Sequence, residues 1–83
     1  MTKEMILKEL QPVFREVFMD DTLEITADTT AFDIEDWDSL MQIVLVSAME
    51  KKYDLSFSID EVSELKNVGD MADMILRGLH GSK

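Results

Sequence analysis

The chain has 83 residues, eighteen acids against eight bases for a formal net charge of −10, one histidine and no cysteine. A single small domain is expected, because a chain this short buries only roughly 60% of the surface it exposes when unfolded and has little room for a self-contained catalytic cleft. The charge opposes nucleic-acid phosphate and anionic membrane surfaces, and the residue counts remove disulfides, thiolate nucleophiles, zinc–cysteine sites and histidine-based hydrolytic sets.

The first predicted helix runs from about Lys3 to Met19. Ile6, Leu10, Val13, Phe14, Val17 and Phe18 form its apolar stripe, and Thr2 suits its cap. Pro12 lies inside this pattern, where a missing N–H and a ring clash predict a kink or restart. From Asp20 to Asp38 the periodicity fails. That stretch contains eight acids and no Lys or Arg, yet Leu23, Ile25, Phe32, Ile34 and Trp37 punctuate it. A long ordered loop pinned by those side chains is expected, and loops of this length are often functional.

A second helix is predicted from about Ser39 to Tyr53, with Asp38 as its cap. Leu55, Phe57 and Ile59 then alternate with polar residues, as in a short extended connection. Ser58 and Glu61 make a capping box for a short third helix ending near Leu65. Asn67 and Asp70 repeat that signal for a fourth helix, whose stripe is Val68, Met71, Ala72, Ile75 and Leu79, with Gly78 or Gly81 to end it. The fold class is all-α: a small four-helix bundle with three longer helices, one short third helix and a long first loop.

The acids do not follow a calcium-loop spacing from any start, so a solvated acidic face is expected. Most of the methionines, Met5, Met19, Met49, Met71 and Met74, are expected to fill the core. The second helix is apolar nearly all round. Gln42, Leu45, Val46, Met49 and Tyr53 gather on one side, while Leu40, Val44, Ser47 and Lys51 form the opposite row. That second row either meets a neighbour in the fold or is an exposed docking strip. Ser39 opens this helix. With no base to activate it, its hydroxyl suits a target of another enzyme better than a nucleophile of this chain's own making.

The run Asp33-Ile34-Glu35-Asp36-Trp37-Asp38-Ser39-Leu40 resembles the phosphopantetheine-attachment segment of acyl carrier proteins, whose core is Asp-Ser-Leu. The resemblance extends over nearly the whole chain. It takes in Phe14-Arg15-Glu16-Val17-Phe18, Ala48-Met49-Glu50-Lys51-Lys52-Tyr53, Phe57-Ser58-Ile59-Asp60-Glu61-Val62 and Asn67-Val68-Gly69-Asp70-Met71-Ala72. It implies that Ser39, flanked by the motif residues Asp38 and Leu40, receives 4′-phosphopantetheine from coenzyme A through a phosphopantetheinyl transferase. It implies further that the arm's thiol carries acyl groups as thioesters, so the reactive sulfur arrives on the cofactor and partner enzymes do the chemistry.

The resemblance also implies that an acyl chain shelters near Ile43, Val46, Ile59, Val62 and Ala72. Partners are expected to dock on Leu40, Met41, Val44, Ser47, Glu50 and Lys51. Housekeeping carriers tend to place acids along this helix, but here Met41, Val44 and Lys51 stand at such positions and only Glu50 keeps the charge. More apolar docking is therefore expected, to acyl-loading, condensing or acyl-transfer enzymes of fatty-acid, lipopolysaccharide or polyketide-type synthesis. A soluble, cytoplasmic monomer with no metal and no membrane span is expected. The alternatives are a peptidyl or aminoacyl carrier, disfavoured by Asp36-Trp37-Asp38 where glycines and a histidine are usual, and a non-carrier acidic helical adaptor.

Overall fold

The computed structural model describes residues 1–81. Its four helices are α1 (Lys3–Phe18), α2 (Ser39–Tyr53), α3 (Ile59–Ser63) and α4 (Val68–Gly81). The three longer helices pack on one another around a single core. α1 contributes Ile6, Leu10 and Phe14, α2 contributes Leu45, Val46 and Met49, and α4 contributes Val68, Met71, Ala72, Met74 and Ile75.

Local chemistry sets the helix boundaries. Thr2 caps α1 by accepting the Met5 amide, and Met19 ends it in a left-handed turn at φ 55°. The capping box of α3 forms as its sequence demands, with Ser58 and Glu61 exchanging hydrogen bonds. Asn67 Oδ1 accepts the Asp70 amide at 2.8 Å at the start of α4.

Several sequence expectations need correction. α1 is one continuous helix through Pro12. Pro12 and Lys8, whose carbonyl would have paired with the missing N–H, both lie on the exposed side, where solvent has access to the freed carbonyl. Met5 and Met19 are exposed, while Met49, Met71 and Met74 are buried. α3 stops at Ser63, two residues before Leu65, whereas α4 runs through Gly78 to Gly81, the second of the two ends expected for it.

The long loop from Met19 to Asp38 is held by polar bonds as much as by apolar ones. Gln11 of α1 grips Ile25 from both sides, donating to its carbonyl at 2.5 Å and accepting its amide at 3.0 Å. Arg15 Nε donates to the Leu23 carbonyl at 2.6 Å. The carbonyls of Thr29 and Ala27 accept the Val68 and Gly69 amides, at 2.9 and 2.8 Å, which satisfies two otherwise orphaned donors of α4. Ile25, Ile34 and Trp37 are buried as expected, but Phe32 is fully exposed and pins nothing.

Candidate functional site

α2 begins at Ser39 because Asp38 caps it. The Asp38 backbone is extended, its carboxylate accepts the Met41 amide at 2.9 Å, and its carbonyl accepts the Gln42 amide. Trp37, immediately before the cap, is the anchor of the whole segment. Its ring meets Phe14 edge-on at 5.4 Å and lies 6.2 Å from Phe18. Its Nε1–H donates to Gln42 Oε1 at 2.7 Å, one turn into α2. The loop end is thereby fastened to α1 and to α2 on either side of Ser39. Nothing in the sequence pattern marks the Trp37–Gln42 bond, and the sequence reading missed both residues as site supports.

The Ser39 side chain is exposed, and among the described residues its hydroxyl makes no hydrogen bond. Beside it lies an open groove of about 560 Å³. Ala31, Trp37 and Asp38 wall it on the loop side, Gln42 and Ile43 on α2, and Val62, Ser63, Leu65, Lys66, Asn67 and Met71 on the α3–α4 side. A smaller and more apolar groove of about 380 Å³ runs between α2 and α3, lined by Ile43, Val46, Ser47, Glu50, Phe57, Ile59 and Val62. Ile43 and Val62 border both grooves.

Four of the five residues expected around an acyl chain, Ile43, Val46, Ile59 and Val62, thus share one groove. Ala72 does not join them. It points into the core, fully buried, because the apolar stripe of α4 packs inward. Phe57, outside that expectation, supplies an aromatic wall instead.

The row opposite the buried face of α2 is solvent-facing. Leu40 is 68% and Val44 41% exposed, and Ser47 and Lys51 are exposed as well. Met41 is half-buried and packs against the core. Glu50 departs most from expectation: its carboxylate accepts the Phe57 amide at 2.8 Å, so it fastens the α2–α3 connection as well as facing the groove.

The comparisons with known proteins agree with this geometry. The family described as a phosphopantetheine attachment site matches residues 8–75. An acyl carrier protein of Exiguobacterium sibiricum is 36% identical, over 90% of this chain and 95% of its own.

The chain belongs to the acyl carrier protein family.

A second acyl carrier protein, from Acidothermus cellulolyticus, is also 36% identical, over 90% of this chain and 89% of its own. Among solved structures, the solution structure of holo acyl carrier protein from Geobacter metallireducens superposes with a TM-score of 0.85 at 43% identity, covering 90% of this chain and 86% of that one. The all-helical bundle is the fold this chain shares with that solved carrier protein. The chain is accordingly a carrier of acyl groups with 4′-phosphopantetheine as its prosthetic group, and the non-carrier adaptor alternative falls. Among the described residues no helix is long and apolar enough to cross a membrane.

Proposed function

We propose that the 4′-phosphopantetheine arm is attached to the hydroxyl of Ser39 and that the protein presents acyl thioesters to partner enzymes without catalysing their chemistry. The exposed, unbonded Ser39 hydroxyl at the first residue of α2 carries this reading. When bound, the group supplies a terminal thiol on which acyl groups ride as thioesters.

The chain's own residues fit that group. Asp38 and Trp37 fix the position of Ser39 by capping and packing, and neither blocks the hydroxyl. The larger groove mixes Asp38, Gln42, Ser63, Lys66 and Asn67 with apolar side chains, which suits an arm that alternates amide and hydrocarbon segments. Ile43, Val46, Ile59 and Val62, with Phe57, offer the apolar groove between α2 and α3 as shelter for the acyl chain.

Leu40, Val44, Ser47 and Lys51 present the docking strip to a phosphopantetheinyl transferase and to acyl-loading, condensing or acyl-transfer enzymes. Met41 and Glu50 act at its edge and chiefly in holding the fold. The strip carries more apolar than charged surface, which favours acyl-loading, condensing or acyl-transfer partners that bind with little dependence on salt. That character suits a specialised lipid, lipopolysaccharide or polyketide-type pathway better than bulk fatty-acid elongation.

The test is the intact mass of the protein before and after incubation with coenzyme A and a broad-specificity phosphopantetheinyl transferase. One phosphopantetheine added to the wild type and none to Ser39→Ala is the expected result. Addition to Ser39→Ala, or none to a folded wild type, would overturn the assignment.

A further inference from the structure

Phe32 is the most exposed large apolar residue of the chain, at 100%. Its exposure does not come from a slack loop. The turn that bears it is closed by four hydrogen bonds: Thr30 N–H to Asp33 Oδ2 at 2.9 Å, Thr30 Oγ1–H to the same Asp33 Oδ2 at 3.3 Å, Asp33 N–H to the Thr30 carbonyl at 3.0 Å, and Phe32 N–H to Thr30 Oγ1 at 3.2 Å. A turn tied in this way loses little backbone freedom on binding, which favours the aromatic ring it carries as an interface anchor. The preceding residue, Ala31, lines the same groove as Ser39. Phe32 thus follows a lining residue of that groove directly in the chain on the loop side, as Leu40, 68% exposed, follows Ser39 on the helix side.

We infer that Phe32 is a specificity-determining anchor for the protein that acts on Ser39, seated in an apolar socket ringed by Lys and Arg on the phosphopantetheinyl transferase. Charge complementarity supports the socket's chemistry. Asp33, Glu35, Asp36 and Asp38, all exposed, lie between Phe32 and Ser39 in the chain, and the whole stretch from Asp20 to Asp38 has no cation. A second copy of this chain, with its own net charge of −10, is a poor occupant for such a surface. An enzyme that delivers a group to the Ser39 hydroxyl approaches the groove that Ala31, the neighbour of Phe32, lines.

This inference rests on Ser39 being the attachment position, and the experiment separates the two. The rate of phosphopantetheine transfer from coenzyme A by a broad-specificity transferase is measured against the concentration of apo protein. Wild type, Phe32→Ser and Met5→Gln are compared; the last removes exposed apolar surface from α1, away from the groove. Circular dichroism melts establish that all three are folded. The expected result is a KM for Phe32→Ser raised about tenfold with kcat retained, as for loss of an interface anchor, and a KM for Met5→Gln equal to wild type. A wild-type KM for Phe32→Ser, an equal rise for Met5→Gln, or a fall in kcat alone would overturn the inference while leaving Ser39 as the attachment position. No mass gain on the wild type would remove the Ser39 assignment and this inference with it.

Discussion

The amide of Gly69 donates to the carbonyl of Ala27 at 2.8 Å, and a Cβ built on Gly69 would lie 2.9 Å from that same carbonyl oxygen. The first turn of α4 and the middle of the long loop thus meet backbone to backbone, at a separation only glycine permits. In an isolated helix Gly→Ala would stabilise by roughly 1 kcal/mol. Here the added methyl must displace a backbone atom, not a flexible side-chain tip. Gly69→Ala is expected to destabilise the protein by about 1–3 kcal/mol, the usual cost of overpacking. Urea unfolding measures it, and an alanine variant as stable as wild type would contradict the contact.

The indole of Trp37 and the amide of Gln42 form the tie across the start of α2. Trp37→Phe keeps an aromatic body against Phe14 and loses the Nε1 donor, and Gln42→Ala removes the acceptor. A double-mutant cycle on stability is expected to give a coupling of about 1 kcal/mol, the typical net worth of such a bond. A coupling near zero would mean that packing on Phe14 and Phe18 alone holds the segment.

The helices were legible in the sequence because their signals are local. The 3.6-residue stripes of α1 and α4, the Asp38 cap and the Ser58–Glu61 box depend on neighbours within one or two turns, and all four formed. Ser39 was legible only through the Asp-Ser-Leu resemblance, since a serine after a capping acid is otherwise an ordinary helix start. What escaped depends on tertiary partners. Apolar type could not tell Phe32, fully exposed, from Ile34, buried two residues later. Glu50 read as a docking charge because its partner, the Phe57 amide, lies across a connection of unknown path. Ala72 read as groove lining because its stripe gives the face of α4 but not which neighbour that face meets. Whether the opposite row of α2 is buried depends on the number of helices: among the described residues α1 and α4 cover one side and none covers the other.

Asp38 has two separable roles. As a cap its carboxylate accepts the Met41 amide at 2.9 Å, and Asn performs that task nearly as well. Asp38→Ala is expected to cost about 1 kcal/mol of stability, and Asp38→Asn only a few tenths. If the transferase also reads the negative charge beside Ser39, Asp38→Asn will be loaded with phosphopantetheine at least about tenfold more slowly despite its intact fold. Equal loading rates for wild type and Asp38→Asn would confine the residue to capping.

The docking strip gives a prediction that turns on Leu40 and Val44. Both side chains face solvent, so truncating them costs the fold little. Leu40→Ala and Val44→Ala are each expected to weaken binding to a condensing or acyl-transfer partner several-fold, with melting temperatures within a few degrees of wild type. Raising salt from low to physiological strength is expected to weaken wild-type binding less than either truncation does. A steep fall with salt, together with wild-type affinity in both variants, would contradict apolar docking.

Tyr53, the last helical residue of α2, donates its hydroxyl proton to Glu9 of α1 at 2.7 Å. Burial first, then the hydrogen bond to Glu9 and its negative charge, push the phenol well above its ordinary value near 10.0. The unfolded chain releases this proton from about pH 10 upward, while the folded protein keeps it. The folded state then binds more protons, so this group's contribution is complete below pH 10 and is lost as the pH climbs above it. Tyr53→Phe is expected to be less stable than wild type by about 1 kcal/mol at pH 7, the worth of the bond. The gap should narrow progressively above pH 10, where wild type alone carries the linkage. Denaturant unfolding of both proteins across pH 8 to 11 measures the difference directly. A gap that stayed constant over that range would show that the Tyr53–Glu9 bond is not formed in solution.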